Sequence, residues 1–351
     1  MNILFLINYA GNAGTEKYVE NLERIFSAEG NTCFLGYNVE GKLSEDFEKR
    51  GIKALKLPLT SRDISSSSKI LADYCRKNDI DVIHSQYPVE NIIAVRSLKY
   101  YPKPKAVMTR HLSDSQGLKW TILNRIYTGK NHKIICVCDE SKDALIKNGV
   151  DPKKIEVIYN GVEYNAEPKK NTVGETFNLV ICARYSKEKG LDFLIESLSL
   201  LKKKTNKRFL CRILGDGEEF NSIKTKIAEL GLESEVKQIG YTNDTKSYLE
   251  DSNLYLNSSK SEAMSVAILE AMNEGLPVVA TNVGGNSTLV SKGVECGAVA
   301  EYGDADGYSN AILKYINDEQ LLQLHSENAN RKVKESFDLV KSAHKVYETY
   351  K

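Results

Sequence analysis

The chain has 351 residues, 41% of them hydrophobic and 27% charged, with a formal net charge of +1 at pH 7. That length exceeds one ordinary core and predicts two domains, and the composition is that of a packed protein rather than a disordered one. The even charge balance argues against nucleic acid as a partner, and no apolar run approaches the ~18 residues that a membrane span needs.

The opening residues, MNILFLINYAGNAG, lack the basic start of a secretory leader, so a cytoplasmic location is expected. ILFLI at 3–7 reads as a buried strand. A turn with Gly11 and Gly14 follows, then a helix whose apolar face carries Val19, Leu22, Ile25 and Phe26. Backbone N–H groups at such a turn suit a phosphate or sugar. The full G-x-G-x-x-G spacing is absent, and a turn merely eased by glycine is the equal alternative. CFLGY, KALKL, DVIHS, AVMTR, KIICV and EVIYN come next, each followed by a turn or helical pattern. The serines at 65–68 read as a loop.

A polar stretch at 162–177 reads as a linker, after which NLVICA (178–183) starts a second series. One helical face carries Leu191, Leu194, Ile195 and Leu198, and another Phe220, Ile223, Ile227 and Leu230. FLCRILG, VKQIGY, LYLNSS, PVVAT and GAVA supply strands, and the closing helices begin with a face of Tyr308, Ala311, Ile312, Tyr315 and Ile316. This rhythm predicts an α/β protein of two Rossmann-like, doubly wound domains facing each other across a cleft. The expected spans are 1–165 and 166–335, with a C-terminal helix over 336–351. The seven cysteines sit mostly in apolar runs and read as reduced core residues, and the C-x-C of Cys136 and Cys138 is not a metal motif.

Two further stretches can carry chemistry. In ARYSKEKG, Arg184 and Lys189 flank a strand-to-helix turn where two cations can hold a diphosphate; solvated loop cations are the plain alternative. In SEAMSVAILEAM (261–272), Glu262 and Glu270 stand eight residues apart, about 80° round a helix and two turns apart in height. Only a long ligand, such as a sugar joined through a diphosphate to a nucleoside, meets both. Ala263, Met264 and Ser265 offer backbone N–H groups beside the first acid. The plain alternative is a helix-start acid and a surface acid, although Glu270 lies between Leu269 and Ala271.

These motifs, taken in order, resemble the family 4 retaining glycosyltransferases of the GT-B architecture, glycosyl transferases group 1. GNAGTEKYVENL, DVIHSQ, VIYNGV, ARYSKEKG, LGDGEE and above all SEAMSVAILEAMNEGLPVVATNVGG carry the resemblance, the last matching an E-x7-E signature. The resemblance implies that Arg184 and Lys189 bind the donor diphosphate and steady the leaving group. Glu262 contacts the sugar hydroxyls, with Ala263, Met264 and Ser265 beside sugar and phosphate, and Glu270 receives the ribose. His111, in TRHLS, lies near the reacting sugar. Gly14, Gly215 and Tyr241 join the donor-binding set, and 336–351 crosses back onto the N-terminal domain. One position departs from the family: Ala263 stands where glycine is usual, a costly change if its φ is positive.

The implied activity is transfer of a hexose or N-acetylhexosamine from a nucleotide sugar, UDP favoured, to a glycan or lipid-linked acceptor in surface-polysaccharide synthesis. The alternative is a GT-B-like nucleotide-sugar 2-epimerase, which needs titratable groups over the sugar ring. No metal or other cofactor is expected. The D-x-D at 304–306 reads as a helix start. His84, in DVIHSQ, reads equally as an acceptor contact and as a bonded turn residue. Around Trp120, Leu118, Ile122 and Ile126 with Lys119, Arg125 and Lys130 can form an amphipathic face for peripheral contact with the inner side of the cell membrane, or simply cover the sheet.

Overall fold

In the computed structural model, which describes residues 1–111, 122, 125–168 and 170–351, ILFLI lies inside strand β1 (Asn2–Tyr9), and Ile3 to Ile7 are all buried. Successive strand side chains point to opposite faces, so a run with no polar alternation must be covered on both. Ile3, Phe5 and Ile7 enter a core shared with Val19, Leu22 and Phe26 of the helix Gly14–Ala28. Leu4 and Leu6 enter another, shared with Leu71, Cys75 and Ile93 of the helices Ile64–Lys77 and Pro88–Ser97.

The chain divides into two compact units, Met1–Asn160 with Leu339–Lys351, and Gly161–Asp338. The sequence-based spans broke after 165 and 335. In the first unit the strands are β1, β2 (Thr32–Val39), β3 (Ala54–Lys56), β4 (Val82–Ser85), β5 (Lys105–Arg110), β6 (Lys133–Cys136) and β7 (Ile155–Val157). They form one parallel sheet in the order β3-β2-β1-β4-β5-β6-β7. The chain steps outward from β1 to β3, then returns to β4 on the other side. That reversal opens a crevice beyond the carboxyl ends of β1 and β4.

The second unit repeats the plan with β8 (Phe177–Cys182), β9 (Phe209–Leu214), β10 (Val236–Gly240), β11 (Leu254–Asn257), β12 (Val278–Thr281) and β13 (Gly297–Ala300). Its order is β10-β9-β8-β11-β12-β13, again all parallel, so the reversal falls between β8 and β11. Leu179 and Ile181 pack there with Leu191, Leu194 and Leu198 of the helix Leu191–Lys204 and with Tyr308 and Ile312 of the helix Ala305–Asn317.

Several local expectations change. Ser65–Ser68 are the first turn of a helix, not a loop. The buried Ser67 hydroxyl donates to the Pro58 carbonyl at 2.6 Å and that of Ser68 to Ile64 at 2.5 Å, so both are satisfied without leaving the helix. The stretch 162–177 is tied into the second unit. Asn171 and Asn253 are buried and exchange hydrogen bonds of 2.9 and 3.0 Å. Leu230 caps the helix Phe220–Glu229 and is 39% exposed, outside the face made by Ile223 and Ile227.

Candidate active site

The second unit gathers its charged candidates at its own strand reversal. Beyond β8 the chain passes Arg184 and enters a short turn, Lys187–Lys189, that ends at Gly190 with φ +58. A Cβ on Gly190 would lie 2.3 Å from the Ser258 carbonyl oxygen, so glycine is needed for the turn to sit against the loop after β11. The Ser258 hydroxyl donates to the Lys189 carbonyl at 2.8 Å, and the Lys260 amide to that of Glu188 at 2.8 Å. Thus bound, the turn brings Lys189 Nζ within 2.7 Å of Glu262 Oε2, with side chains 24% and 13% exposed. Arg184, 70% exposed, pairs at 3.0 Å with Glu188 on the turn itself. So open a pair adds little stability.

The loop carrying Glu262 precedes the helix Val266–Asn273 rather than forming its first turn. Ser265 is the N-cap, its Oγ accepting from the Ile268 amide at 3.3 Å. The 80° reckoning along one continuous helix therefore does not apply to Glu262. From below, Gly284 (φ +50) packs on the Glu262 carbonyl, and the Gly285 amide donates to that of Ala263 at 2.7 Å. Ala263 has no positive φ; Asp79 alone does among the described non-glycine residues. Alanine is therefore accommodated. Met264 is buried, and Glu270 is half-buried on the helix that buries Ile268, Leu269 and Met272. Burial drives the Tyr255 phenol on β11 well above its ordinary value, and the charges of Glu270 and Glu262 push the same way.

Gly215 (φ +126) packs against the chain just beyond β8: a Cβ would lie 2.0 Å from the Ala183 carbonyl oxygen, so its own fold demands glycine there. Tyr241 follows the edge strand β10, is 66% exposed, and donates to Asn243 Oδ1 at 2.9 Å. In the D-x-D, Asp304 caps its helix by accepting from the Gly307 amide at 2.8 Å, while Asp306 pairs with Lys204 at 2.6 Å. Among the described residues no group of three or more His, Cys, Asp or Glu is placed to hold a metal.

In the first unit, Gly14 opens its helix and nothing lies within 4 Å of where a Cβ would stand. His111 follows β5, half-buried, with its ring edge-on to Tyr18 at 5.0 Å and Nε2 2.9 Å from Gln86 Oε1. Desolvation holds its imidazole well below the usual histidine range. His84 is wholly buried in β4, Nδ1 2.7 Å from Tyr350 Oη and Nε2 2.7 Å from Thr109 Oγ1. Both nitrogens are taken up inside the unit, which is the bonded reading rather than the acceptor contact. Leu118, Lys119 and Trp120 lie outside the described residues; Ile122 and Ile126 are 53% and 47% exposed.

Sequence reasoning missed the parts that hold the site: Ser258, Gly284 and Thr281, whose hydroxyl donates to the Ser259 carbonyl at 2.6 Å. The small residues of LNSS and NVGG were the available signal, but their pairing is made by non-local packing.

Residues 163–332 match the family model for glycosyl transferases group 1, and residues 13–165 that for glycosyltransferase family 4. The chain is 30% identical over 266 residues, 74% of its length and 72% of the relative's, to an uncharacterized glycosyltransferase of Methanocaldococcus jannaschii. It is 26% identical over 331 residues, 87% of its length and 85% of the relative's, to the UDP-Gal:alpha-D-GlcNAc-diphosphoundecaprenol alpha-1,3-galactosyltransferase of Escherichia coli. Among solved structures, a glycosyltransferase of Rickettsia africae is similar with TM-score 0.87 at 22% identity, over 99% of this chain and 97% of that one. Anabaena HepE in complex with UDP is similar with TM-score 0.86 at 22% identity, over 99% of each chain. At that identity the structural likeness is one of fold.

Proposed function

Since the chain belongs to the GT-B glycosyltransferases of family 4, glycosyl transferases group 1, we propose that it transfers a hexose or N-acetylhexosamine from a nucleotide sugar with retention of configuration. The donor is a UDP-sugar and the acceptor a glycan or lipid-linked sugar of surface-polysaccharide synthesis. The UDP bound to the Anabaena structure and the galactosyltransferase activity of the Escherichia coli relative support that choice. The observation that carries it is the Lys189–Glu262 pair at the strand reversal of the second unit.

As the bond from sugar C1 to phosphate oxygen breaks, positive charge develops on the sugar and negative charge on the departing phosphate. Lys189 and Arg184 steady that phosphate, more in the transition state than in the ground state. Glu262 accepts from the sugar hydroxyls and, through its pair, aims Lys189. Glu270 receives the ribose hydroxyls. The amides of Ala263, Met264 and Ser265 serve the sugar and phosphates, Gly14, Gly215 and Tyr241 border the donor, and His111 serves the reacting sugar. With two cations at the leaving group, no metal is required. The departing phosphate takes the acceptor proton, so neither acid acts as the nucleophile of a glycoside hydrolase. Because the Escherichia coli relative is named for a polyprenol-linked substrate, we assign the reaction to the inner face of the cell membrane; no helix among the described residues is long and apolar enough to cross one.

A thermal-shift panel of nucleotides and UDP-sugars tests this, because a ligand of the folded state raises Tm by mass action. A UDP-sugar is expected to raise Tm for the wild type and much less for Glu270→Ala. No shift with any sugar nucleotide, or equal shifts in both proteins, would overturn the donor assignment.

A further inference from the structure

Gln86, just beyond β4, has an amide whose orientation is set by chemistry. Its Nε2 lies 3.2 Å from the backbone carbonyl of His84. A carbonyl only accepts, so the amide nitrogen must face it, and the other end, Oε1, faces His111 Nε2 at 2.9 Å. An amide oxygen also only accepts. The hydrogen on that contact therefore belongs to His111 Nε2.

The anchor of this chain is rigid. Gln86 is fully buried, and the residue holding its amide, His84, is fixed at both ring nitrogens by Tyr350 and Thr109. Thr109 in turn bonds the Tyr18 hydroxyl at 3.0 Å, and the Tyr18 ring packs edge-on against His111. The imidazole is thus held through one nitrogen and by a T-shaped ring contact. Tyr87, at 6.2 Å between ring centres, packs from another side.

We propose that Gln86 is a positioning residue for transfer: it fixes His111 as the tautomer protonated on Nε2, so that Nδ1 presents a lone pair and acts only as a hydrogen-bond acceptor. Desolvation supports the neutral ring, since it disfavours imidazolium. An acceptor nitrogen suits a hydroxyl of the reacting sugars, or the positive charge that develops on the donor sugar; an N–H there would oppose that charge. The proposal rests on the assignment of His111 to the reacting end.

The test is ¹⁵N NMR of histidine-labelled protein without substrate, with His111 assigned by a His111→Asn variant. The wild type should show a protonated Nε2 and a bare Nδ1, and Gln86→Met, which keeps the volume and loses both hydrogen bonds, should lose that preference. Gln86→Leu serves if the first variant does not fold. In the same variant kcat should fall roughly tenfold or more while donor KM changes by less than about threefold. A wild-type ring protonated on Nδ1, or a tautomer unchanged in the variant, overturns the proposal whatever the kinetics. A lost tautomer with unchanged kcat overturns instead the placement of His111 at the reacting end, and with it the catalytic use of the tautomer.

Discussion

Gly284 packs on the backbone of Glu262 so closely that a Cβ there would lie 1.7 Å from the Glu262 carbonyl oxygen. Its φ of +50 adds a second reason for glycine. Gly284→Ala must therefore push the Glu262 loop out of place. We expect a loss of about 1–3 kcal/mol in stability, read by denaturant unfolding, with a fall in turnover. An alanine variant of wild-type stability and rate would show that the loop does not depend on this contact.

Gly14 gives the opposite expectation. Its Cβ position is open and its φ is not positive, so the protein itself does not require glycine there. Gly14→Ala should leave Tm unchanged or raise stability by up to about 1 kcal/mol, as alanine favours a helix. If Gly14 borders the donor as proposed, turnover should fall nonetheless, because the methyl group then takes up space that the substrate needs. Unchanged kinetics would remove Gly14 from the site.

Much of the fold was legible in the sequence because both sheets are covered on both faces. Continuous apolar runs such as ILFLI and NLVICA can be little else when helical periods separate them. The acids and cations were legible too, since they cluster at strand ends in motifs. Two kinds of feature were not. Ser65–Ser68 look like loop residues, and only the Pro58 carbonyl and the helix around them reveal a satisfied first turn. Glu262 looks like the mouth of a helix, but the Ser265 cap delays the helix to Val266. Likewise the pairing of Gln86 with His111 is not legible locally, because the two stand 25 residues apart.

Glu90 supplies a pH dependence. It is buried, accepts from the Asn8 amide at 2.8 Å, and burial pushes its carboxyl up from 4.5 to about 7. The folded chain therefore binds this proton more tightly than the unfolded one. Its contribution is fully present below about pH 4.5, falls as pH rises, and is lost above about 7. Glu90→Gln, which keeps an acceptor for Asn8, should match the wild type near pH 4.5 and exceed it at pH 8 by up to about 3 kcal/mol. Equal pH profiles of unfolding free energy for the two proteins would refute this.

The D-x-D offers a separable test. Asp304 caps its helix, so Asp304→Ala should cost about 1 kcal/mol of stability. Turnover per folded molecule should be unchanged, and EDTA should leave the wild-type rate intact. A rate lost to EDTA and restored by a divalent cation would return a metal to the reaction.

The most direct measurement is release of nucleoside diphosphate from a UDP-sugar, followed with and without a lipid-linked glycan acceptor, for the wild type and Lys189→Ala. The account predicts release only when acceptor is present, and a rate lower by about 100-fold or more in the folded variant. Epimerised UDP-sugar formed without acceptor, or a near-normal rate in Lys189→Ala, would contradict it.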